Sequence, residues 1–509
     1  MAGFYIENFG CRATQADGAA LERQFLGRGL ERAGTARDAE IVVLNTCTVT
    51  ESADKDARAS IRRLHRVNPD CRILVTGCYA QRAPEELAAL PGVTWVVGNS
   101  HKHQAAEIAT SSSSSFSSSS SGFVSVAQLS GEGRNPLFRT ERERVGHPAV
   151  IVGDIFAHTE LLAAPVFEAA NERTRPNLKV QDGCDNRCSF CVIPYVRGQS
   201  RSLPMERVIV EVRTLVEAGY REVVISGINL GRWGRDLEGS SQFSVLGSQL
   251  KLTANDRRLV DLIRAILERT SLEKLRISSV EPMDWSDELI GLVASSGRIA
   301  KHAHVPMQSG SDAVLRRMHR KYRPWHYREK MLKIRAAMPT AAIGADVMVG
   351  FPGETEAEFG ETRRMIEELP LTYLHVFTYS ARPATPAAEQ PGQVPVAVAR
   401  ERNRVLREIA SQKKKAFMHS LVGTVVEAIT LQSGGAEFTE ALTENYLKMK
   451  IAGHHEANRW RAMDIEGLDG EMLLGKPALD PTLDATGGDP KLLVDGDRAT
   501  DALLSPSEV

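Results

Sequence analysis

The chain has 509 residues, a formal net charge of −1 and seven cysteines. That length calls for roughly two to four domains, and near-neutrality excludes a global basic field, so any nucleic-acid site must be a local patch. Seven cysteines, clustered or scattered, exclude a secreted disulfide framework; no apolar run approaches the ~20 residues that span a bilayer, and the N-terminus lacks a basic-then-apolar signal, so a reducing cytoplasm is the expected location.

Residues 1–109 alternate between strand and helix patterns. Strands are expected at 4–9, 41–44, 73–75 and 93–97. Helices are expected at 16–33, where Leu21, Phe25 and Leu30 share a face, at 55–67, which is basic, and at 84–90. The pattern is that of a doubly wound α/β domain around a parallel sheet. Residues 110–172 begin with a serine tract at 111–121, broken by Phe116, and are expected to be linker and connector. Residues 173–417 return to βα alternation, with strands near 177–182, 222–227, 273–279, 301–307, 341–349 and 371–379. Helices are expected at 204–218, 258–269, 286–294, 325–337 and 355–368, with a surface insertion at 236–256 and a charged helix at 397–417. Six such units predict a partial (βα)6 barrel whose active residues sit on loops after the strands. Residues 418–476 switch to short strands at 424–431, 446–451 and 459–465, a small β-barrel, and 477–509 read as an acidic disordered tail. The expected fold class is therefore α/β with an appended all-β module.

Just after the first barrel strand, Cys184, Cys188 and Cys191 are spaced C-x3-C-x2-C. Three thiolates from one short loop suit a cube-shaped iron–sulfur cluster and leave one iron without a protein ligand; a structural zinc wants a closed shell of four ligands, usually from two knuckles. A two-cluster ferredoxin would carry a longer run with a fourth cysteine and a proline, which this loop lacks. Cys11, Cys47 and Cys78 form a second set. Each follows a predicted strand, and loops after parallel strands gather along one sheet edge. Placement alone leaves two alternatives: a second cluster, or three buried structural cysteines. Cys71 precedes a strand and is expected not to ligate.

Taken together, the strings Asn45-Thr46-Cys47-Thr48-Val49-Thr50, Val75-Thr76-Gly77-Cys78-Tyr79-Ala80-Gln81, Gln181-Asp182-Gly183-Cys184, Pro306-Met307-Gln308-Ser309-Gly310-Ser311 and Gly350-Phe351-Pro352-Gly353-Glu354-Thr355 resemble those of the radical S-adenosylmethionine methylthiotransferases. The resemblance covers roughly residues 3–100 and 175–475. It implies two [4Fe-4S] clusters. Cys184, Cys188 and Cys191 would hold the one that cleaves S-adenosyl-L-methionine to a 5′-deoxyadenosyl radical. Cys11, Cys47 and Cys78 would hold the one that supplies or carries the inserted sulfur. It further implies that Phe190 shields the first cluster and meets the adenine, and that the turn at Gly227 admits the methionine end of the nucleotide. Glu281 would bind ribose or substrate, its alternative being a solvated cap. Gln308 and Ser309 would hydrogen-bond the nucleotide. Asp346 and Gly350 would border it, apolar packing being the alternative for the Gly350 loop. No general acid or base is nominated beyond the cluster ligands.

Three subtypes of this family modify an isopentenylated adenosine in tRNA, a threonylcarbamoylated adenosine in tRNA, or an aspartate of a ribosomal protein. Gly10-Cys11-Arg12-Ala13-Thr14-Gln15 and Leu442-Thr443-Glu444-Asn445-Tyr446-Leu447 are similar to the threonylcarbamoyl subtype, with Thr14 standing where asparagine is usual. The implied reaction is methylthiolation at C2 of N6-threonylcarbamoyladenosine at position 37, next to the anticodon; the isopentenyladenosine and ribosomal-aspartate activities stand as alternatives. The implied partners are a tRNA anticodon loop, an electron donor such as flavodoxin or ferredoxin, and a sulfur donor of unknown identity, with no membrane. The β-barrel resembles the small RNA-binding module of these enzymes. Basic stretches at 58–66, 316–335 and 400–415 are read as phosphate contacts, and single-stranded loops let the target base leave its stack.

Overall fold

A computed structural model describes residues 3–111, 148–158, 161, 175–237, 258–435 and 437–478. The serine tract beyond Ser111, the insertion from residue 238 onward and the tail from 479 lie outside these residues.

The N-terminal sheet contains β1 (Gly3–Asn8), β2 (Glu31–Arg32), β3 (Ile41–Thr46), β4 (Arg72–Gly77), β5 (Val93–Gly98) and β6 (Ala149–Ile151). Its order is β2-β1-β3-β4-β5-β6, parallel throughout. Every residue of β3 is buried, as expected where helices cover both faces. The helix Glu51–Val67 starts where Thr50 Oγ1 accepts from the Ala53 amide, filling one of the amides a helix start leaves open. Two details depart from the sequence reading. The first helix runs Arg12–Gly27 and stops there, so residues 31–32 form a strand rather than its last turn. The sixth strand comes from the stretch whose composition predicts a connector. It is only three residues long and mostly exposed, too short to produce a period-two signal.

The central body contains β7 (Asn177–Asp182), β8 (Arg201–Ser202), β9 (Glu222–Gly227), β10 (Lys274–Ile277), β11 (His302–His304), β12 (Ala342–Val349) and β13 (Tyr373–Thr378). Two sheets, β10-β9-β7-β8 and β11-β12-β13, meet through the parallel bridges Leu275↔Ile299 and Ser279↔His304. Apart from β8, the strands are parallel, and among the described residues no ladder joins β13 back to β7. The result is the open six-strand barrel predicted from the sequence, with its core on Leu178, Val180, Val223, Ile225, Leu275 and Ile277. The helix Val396–Ser420 then leads to a closed barrel of β14 (Val425–Gly434), β15 (Phe438–Thr443), β16 (Lys448–Ala452), β17 (Trp460–Asp469) and β18 (Met472–Pro477), in the order β14-β15-β16-β18-β17. β15 and β18 were not foreseen. The first interposes threonine and glutamate among its apolar residues. The second carries a glycine and ends on proline, both depleted in strands.

Candidate active site

Cys184, Cys188 and Cys191 sit on the loop leaving β7, all half-buried with free thiols. Donors converge on their sulfurs. The Asn186 amide lies 3.4 Å and Asn229 Nδ2 3.6 Å from Cys184 Sγ, and Arg320 Nη1 lies 3.3 Å from Cys188 Sγ. Burial, then the charge of Cys188, pushes the Cys191 thiol up to about 12; burial also raises Cys184. Three free thiols on one short loop, two of them met by N–H donors and two raised by burial, fit iron, whose positive charge would compensate the thiolates.

The second trio gathers where the sheet-edge argument places it. Cys11 follows β1, Cys47 follows β3 and Cys78 follows β4. A side chain at Gly10 would lie 2.6 Å from Cys47 Cβ, so the β1 exit packs directly on that cysteine. Burial, then Cys78 and Cys11, pushes the Cys47 thiol up to about 12, and Asn99 Nδ2 lies 3.5 Å from Cys78 Sγ. Cys11 is exposed, so this trio opens outward. Cys71 lies apart, in the apolar core with Val42 and Leu64.

Between the trios runs a buried ion network. Asp17, on the helix after Cys11, takes Lys102 Nζ at 2.9 Å, Arg197 Nη2 at 3.0 Å and Lys179; Asp182, just before Cys184, takes Lys179 Nζ at 2.8 Å and Arg197 Nη1 at 3.0 Å. Three cations surround two carboxylates. Burial disfavours both carboxylate charges, yet the cations outweigh it and hold both acids below the usual carboxylate range. The network spans the N-terminal sheet and the barrel and fixes one cysteine loop against the other.

Beside the Cys184 loop is a cavity of about 280 Å³ lined by Asp185, Asn186, Asn229, Arg232 and Lys321, among others. Asn229 Oδ1 is buried and has no hydrogen-bond partner among the described residues, which fits an ammonium donor such as the methionine end of the nucleotide. Gly227 serves this wall. A Cβ there would lie 2.8 Å from Gln181 Oε1, which accepts the Asn229 amide at 2.7 Å, while Gln181 Nε2 donates to the Gly183 carbonyl at 2.8 Å. Phe190 stands edge-on to Phe351 with ring centroids 6.4 Å apart. Glu281 lines a pocket with Cys188 and pairs with Arg320. On the facing sheet, Gln308 adopts a left-handed φ of 61° and its amide donates to the Asp346 carbonyl at 2.8 Å.

Three nominated residues sit differently from the sequence expectation. The Ser309 hydroxyl is buried against Thr362 Oγ1 at 3.0 Å and accepts the Ser311 amide, so it braces its own loop. Gly350 makes room for a helix: a Cβ would lie 2.6 Å from that of Ala399, which favours the packing alternative. The Asp346 carboxylate is held by His304 Nε2 at 3.1 Å and His375 Nδ1 at 3.2 Å; their bonds outweigh burial and keep it ionised.

Within two of the basic stretches, several cations have partners inside the chain. Arg317 pairs with Glu358, Arg328 with Glu368, Lys333 with Asp287, Arg402 with Glu354 and Lys414 with Glu471, while Arg320 is buried beside Cys188. Arg320 is the candidate-site residue the sequence hid most effectively, because a run of arginines reads as a solvated face whichever member turns inward.

Residues 3–98 match the Uncharacterized protein family UPF0004 and residues 178–366 the Radical SAM superfamily. The threonylcarbamoyladenosine tRNA methylthiotransferase of Bacillus subtilis is 36% identical over 458 residues, covering 89% of this chain and 91% of that protein. The chain belongs to the radical S-adenosylmethionine methylthiotransferases. The Aquifex aeolicus relative with the same activity in its name is 33% identical, across 89% of this chain and 98% of its own length. Among solved structures, the radical S-adenosylmethionine methyltransferase TsrM of Kitasatospora setae aligns with a TM-score of 0.50 at 16% identity, over 76% of this chain and 74% of that one, a likeness of fold. Membership in this family brings S-adenosylmethionine and [4Fe-4S] clusters as cofactors.

Proposed function

We propose that the chain installs a methylthio group at C2 of N6-threonylcarbamoyladenosine, at position 37 beside the anticodon of tRNA. The observation that carries this is the pair of cysteine trios, one on each α/β body, held in register by the buried Asp17–Arg197–Asp182 network. Cys184, Cys188 and Cys191 would hold the cluster that, when bound, supplies one-electron cleavage of the nucleotide. Cys11, Cys47 and Cys78 would hold the cluster that presents sulfur.

The residues around them orient and exclude. Asn229 Oδ1 offers an acceptor to the nucleotide's ammonium, the Gln181 amide holds two loops at a fixed separation, and Phe190 with Phe351 closes the apolar side against water. Arg320 and Asn229 donate to the thiolates and steady their charge. The domain boundaries that follow are 1–109, extended by the strand at Ala149–Ile151, then 173–417 and 418–476. Among the described residues no helix is long and apolar enough to cross a membrane. The cytoplasm, where tRNA and low-potential donors such as flavodoxin or ferredoxin coexist, is the proposed setting, and a separate sulfur donor replenishes what each turnover consumes.

Anaerobic reconstitution with iron and sulfide tests the division of labour. About eight irons per chain are expected. Cys188→Ala is expected to abolish nucleotide cleavage, and Cys47→Ala to keep cleavage while losing sulfur insertion. A fully productive Cys47→Ala would overturn the two-cluster assignment. Mass spectrometry of nucleosides from tRNA of a deletion strain checks the substrate; an unchanged profile would remove the tRNA assignment.

A further inference from the structure

Where the three folded bodies meet, the turn between β15 and β16 reaches into the base of the open barrel. Arg276 donates to the Glu444 carbonyl at 2.9 Å, Asn445 Nδ2 donates to the Thr340 carbonyl at 3.2 Å, and Thr443 Oγ1 donates to Asn445 Oδ1 at 2.6 Å. These ties hold Tyr446 at a left-handed φ of 68°, a conformation non-glycine residues adopt at some cost and keep where the surroundings impose it. The Tyr446 hydroxyl meets Arg12 Nη2 at 3.1 Å. Arg12 directly follows Cys11, a proposed ligand of the sulfur-presenting cluster.

Tyr446 is also the end of a ladder of rings. His302 lies 5.0 Å from it centroid to centroid, Tyr373 lies 5.9 Å from His302, and His304 and His375 lie 5.9 and 5.4 Å from Tyr373. The ladder runs from exposed His375 inward. Burial keeps His302 neutral, so it adds no charge. At the Tyr446 end the charges do not balance. Three guanidiniums, Arg12, Arg175 and Arg276, act on one another and on Tyr446, and one carboxylate, Glu222, faces them. Glu222 is taken by Arg276 Nε at 2.5 Å. Among the described residues Arg12 and Arg175 then have no carboxylate, although both are half-buried. Burial depresses Arg175 below the usual arginine range in spite of Glu222, and Arg12 and Arg175 together outweigh burial and lower the Tyr446 phenol.

A half-buried pair of guanidiniums without a counter-ion, next to the sulfur-presenting centre and at the end of an aromatic ladder, is complementary to a flat ring that carries an anionic arm. A flipped adenine stacks on such rings, and a carboxylate takes two planar forks of N–H donors. We propose that Arg12 and Arg175 bind the carboxylate of the threonylcarbamoyl arm, with Tyr446 fixing Arg12, and so select this base over one with an uncharged substituent. The inference rests on the proposed tRNA activity and adds the residues that choose among its adenosines. An apolar arm would leave both half-buried cations unpaired, the condition under which a polar site rejects an analogue.

The test compares tRNA bearing the free acid, the same tRNA with that carboxylate converted to its methylamide, and tRNA bearing the dimethylallyl arm, on reconstituted full-length enzyme. Wild type is expected to lose about 100-fold in kcat/KM on the methylamide, chiefly through KM. The double variant Arg12→Gln, Arg175→Gln is expected to lose a similar factor on the free acid and to treat acid and methylamide alike, at the iron content of wild type; Arg12→Lys should recover part of the loss. Equal use of acid and methylamide by wild type, which needs no variant to fold, overturns the inference, as does wild-type discrimination in the double variant. A wild type that ignores the free acid yet modifies the dimethylallyl tRNA overturns the substrate assignment itself.

Discussion

Arg320 shows how much one side chain can decide. Its guanidinium is buried, with Nη1 at 3.3 Å from Cys188 Sγ and Nη2 on Glu281. Burial opposes its charge, but Tyr322, Glu281 and Cys188 outweigh that and keep it protonated. With Cys188 as the proposed cluster ligand, a fixed cation against its thiolate would stabilise the reduced, more negative cluster, so removing it should make reduction harder. Arg320→Gln is expected to shift the midpoint potential of the first cluster to more negative values and to slow nucleotide cleavage about 10- to 100-fold, with Arg320→Lys recovering part of both. A redox titration followed by electron paramagnetic resonance reads the shift. An unchanged potential would mean that Arg320 only packs. The same residue marks a limit of sequence reading. Spacing reveals cysteines because their chemistry is rare and local, whereas nothing in a run containing Arg316, Arg317, Arg320 and Arg323 indicates which guanidinium faces inward.

At the scale of elements, the strand exits carry the candidate ligand cysteines, and the backbone there has little latitude. Gly77 ends β4 at φ 103°, directly before Cys78, and a Cβ would sit 2.3 Å from the Thr46 carbonyl oxygen, directly before Cys47. Backbone cannot swing aside as a long side chain can, so Gly77→Ala must push two ligand loops apart, at a strain cost of about 1–3 kcal/mol. The expected result is iron falling from about eight to about four per chain, with nucleotide cleavage retained and methylthiolation lost. Gly219→Ala is the control, since Gly219 also has a positive φ, 91°, but faces open space; its iron content should match wild type. Retention of all the iron in Gly77→Ala would show that the β4 exit does not set the second trio. These strands were legible in the sequence because buried parallel strands read as apolar runs. The short β2 and β6 were not, because two or three residues cannot display a period.

The whole molecule is held together by charges that the sequence could not pair. Asp17 meets Lys102, Lys179 and Arg197 across separations of 85, 162 and 180 residues, and no local pattern announces such partners. The C-terminal barrel is joined in the same way. Its strands were partly predicted, but its attachment was not. Lys274, nearly fully buried on β10, points across to that barrel. It pairs with Glu427, approaches Glu444 at 3.6 Å, donates to the Gly297 carbonyl at 2.6 Å and lies 5.0 Å from the Trp460 ring centre. Burial, then Glu427, already works against ionisation of Glu444, and Lys274 opposes both. Lys274→Met therefore leaves two carboxylates facing each other without their cation. The expected loss is about 3 kcal/mol, the low end for breaking a buried pair because Glu427 is half exposed. Glu444→Gln should cost less, and the double variant should cost less than the two added together, because the second substitution removes a charge the first left stranded. Denaturant unfolding of all four proteins reads this cycle. Strict additivity would mean that Lys274 does not tie the barrels together through Glu444. A coupled result would make the C-terminal barrel a structural wall of the proposed substrate site, in keeping with the position of Tyr446 between Arg12 and Arg276.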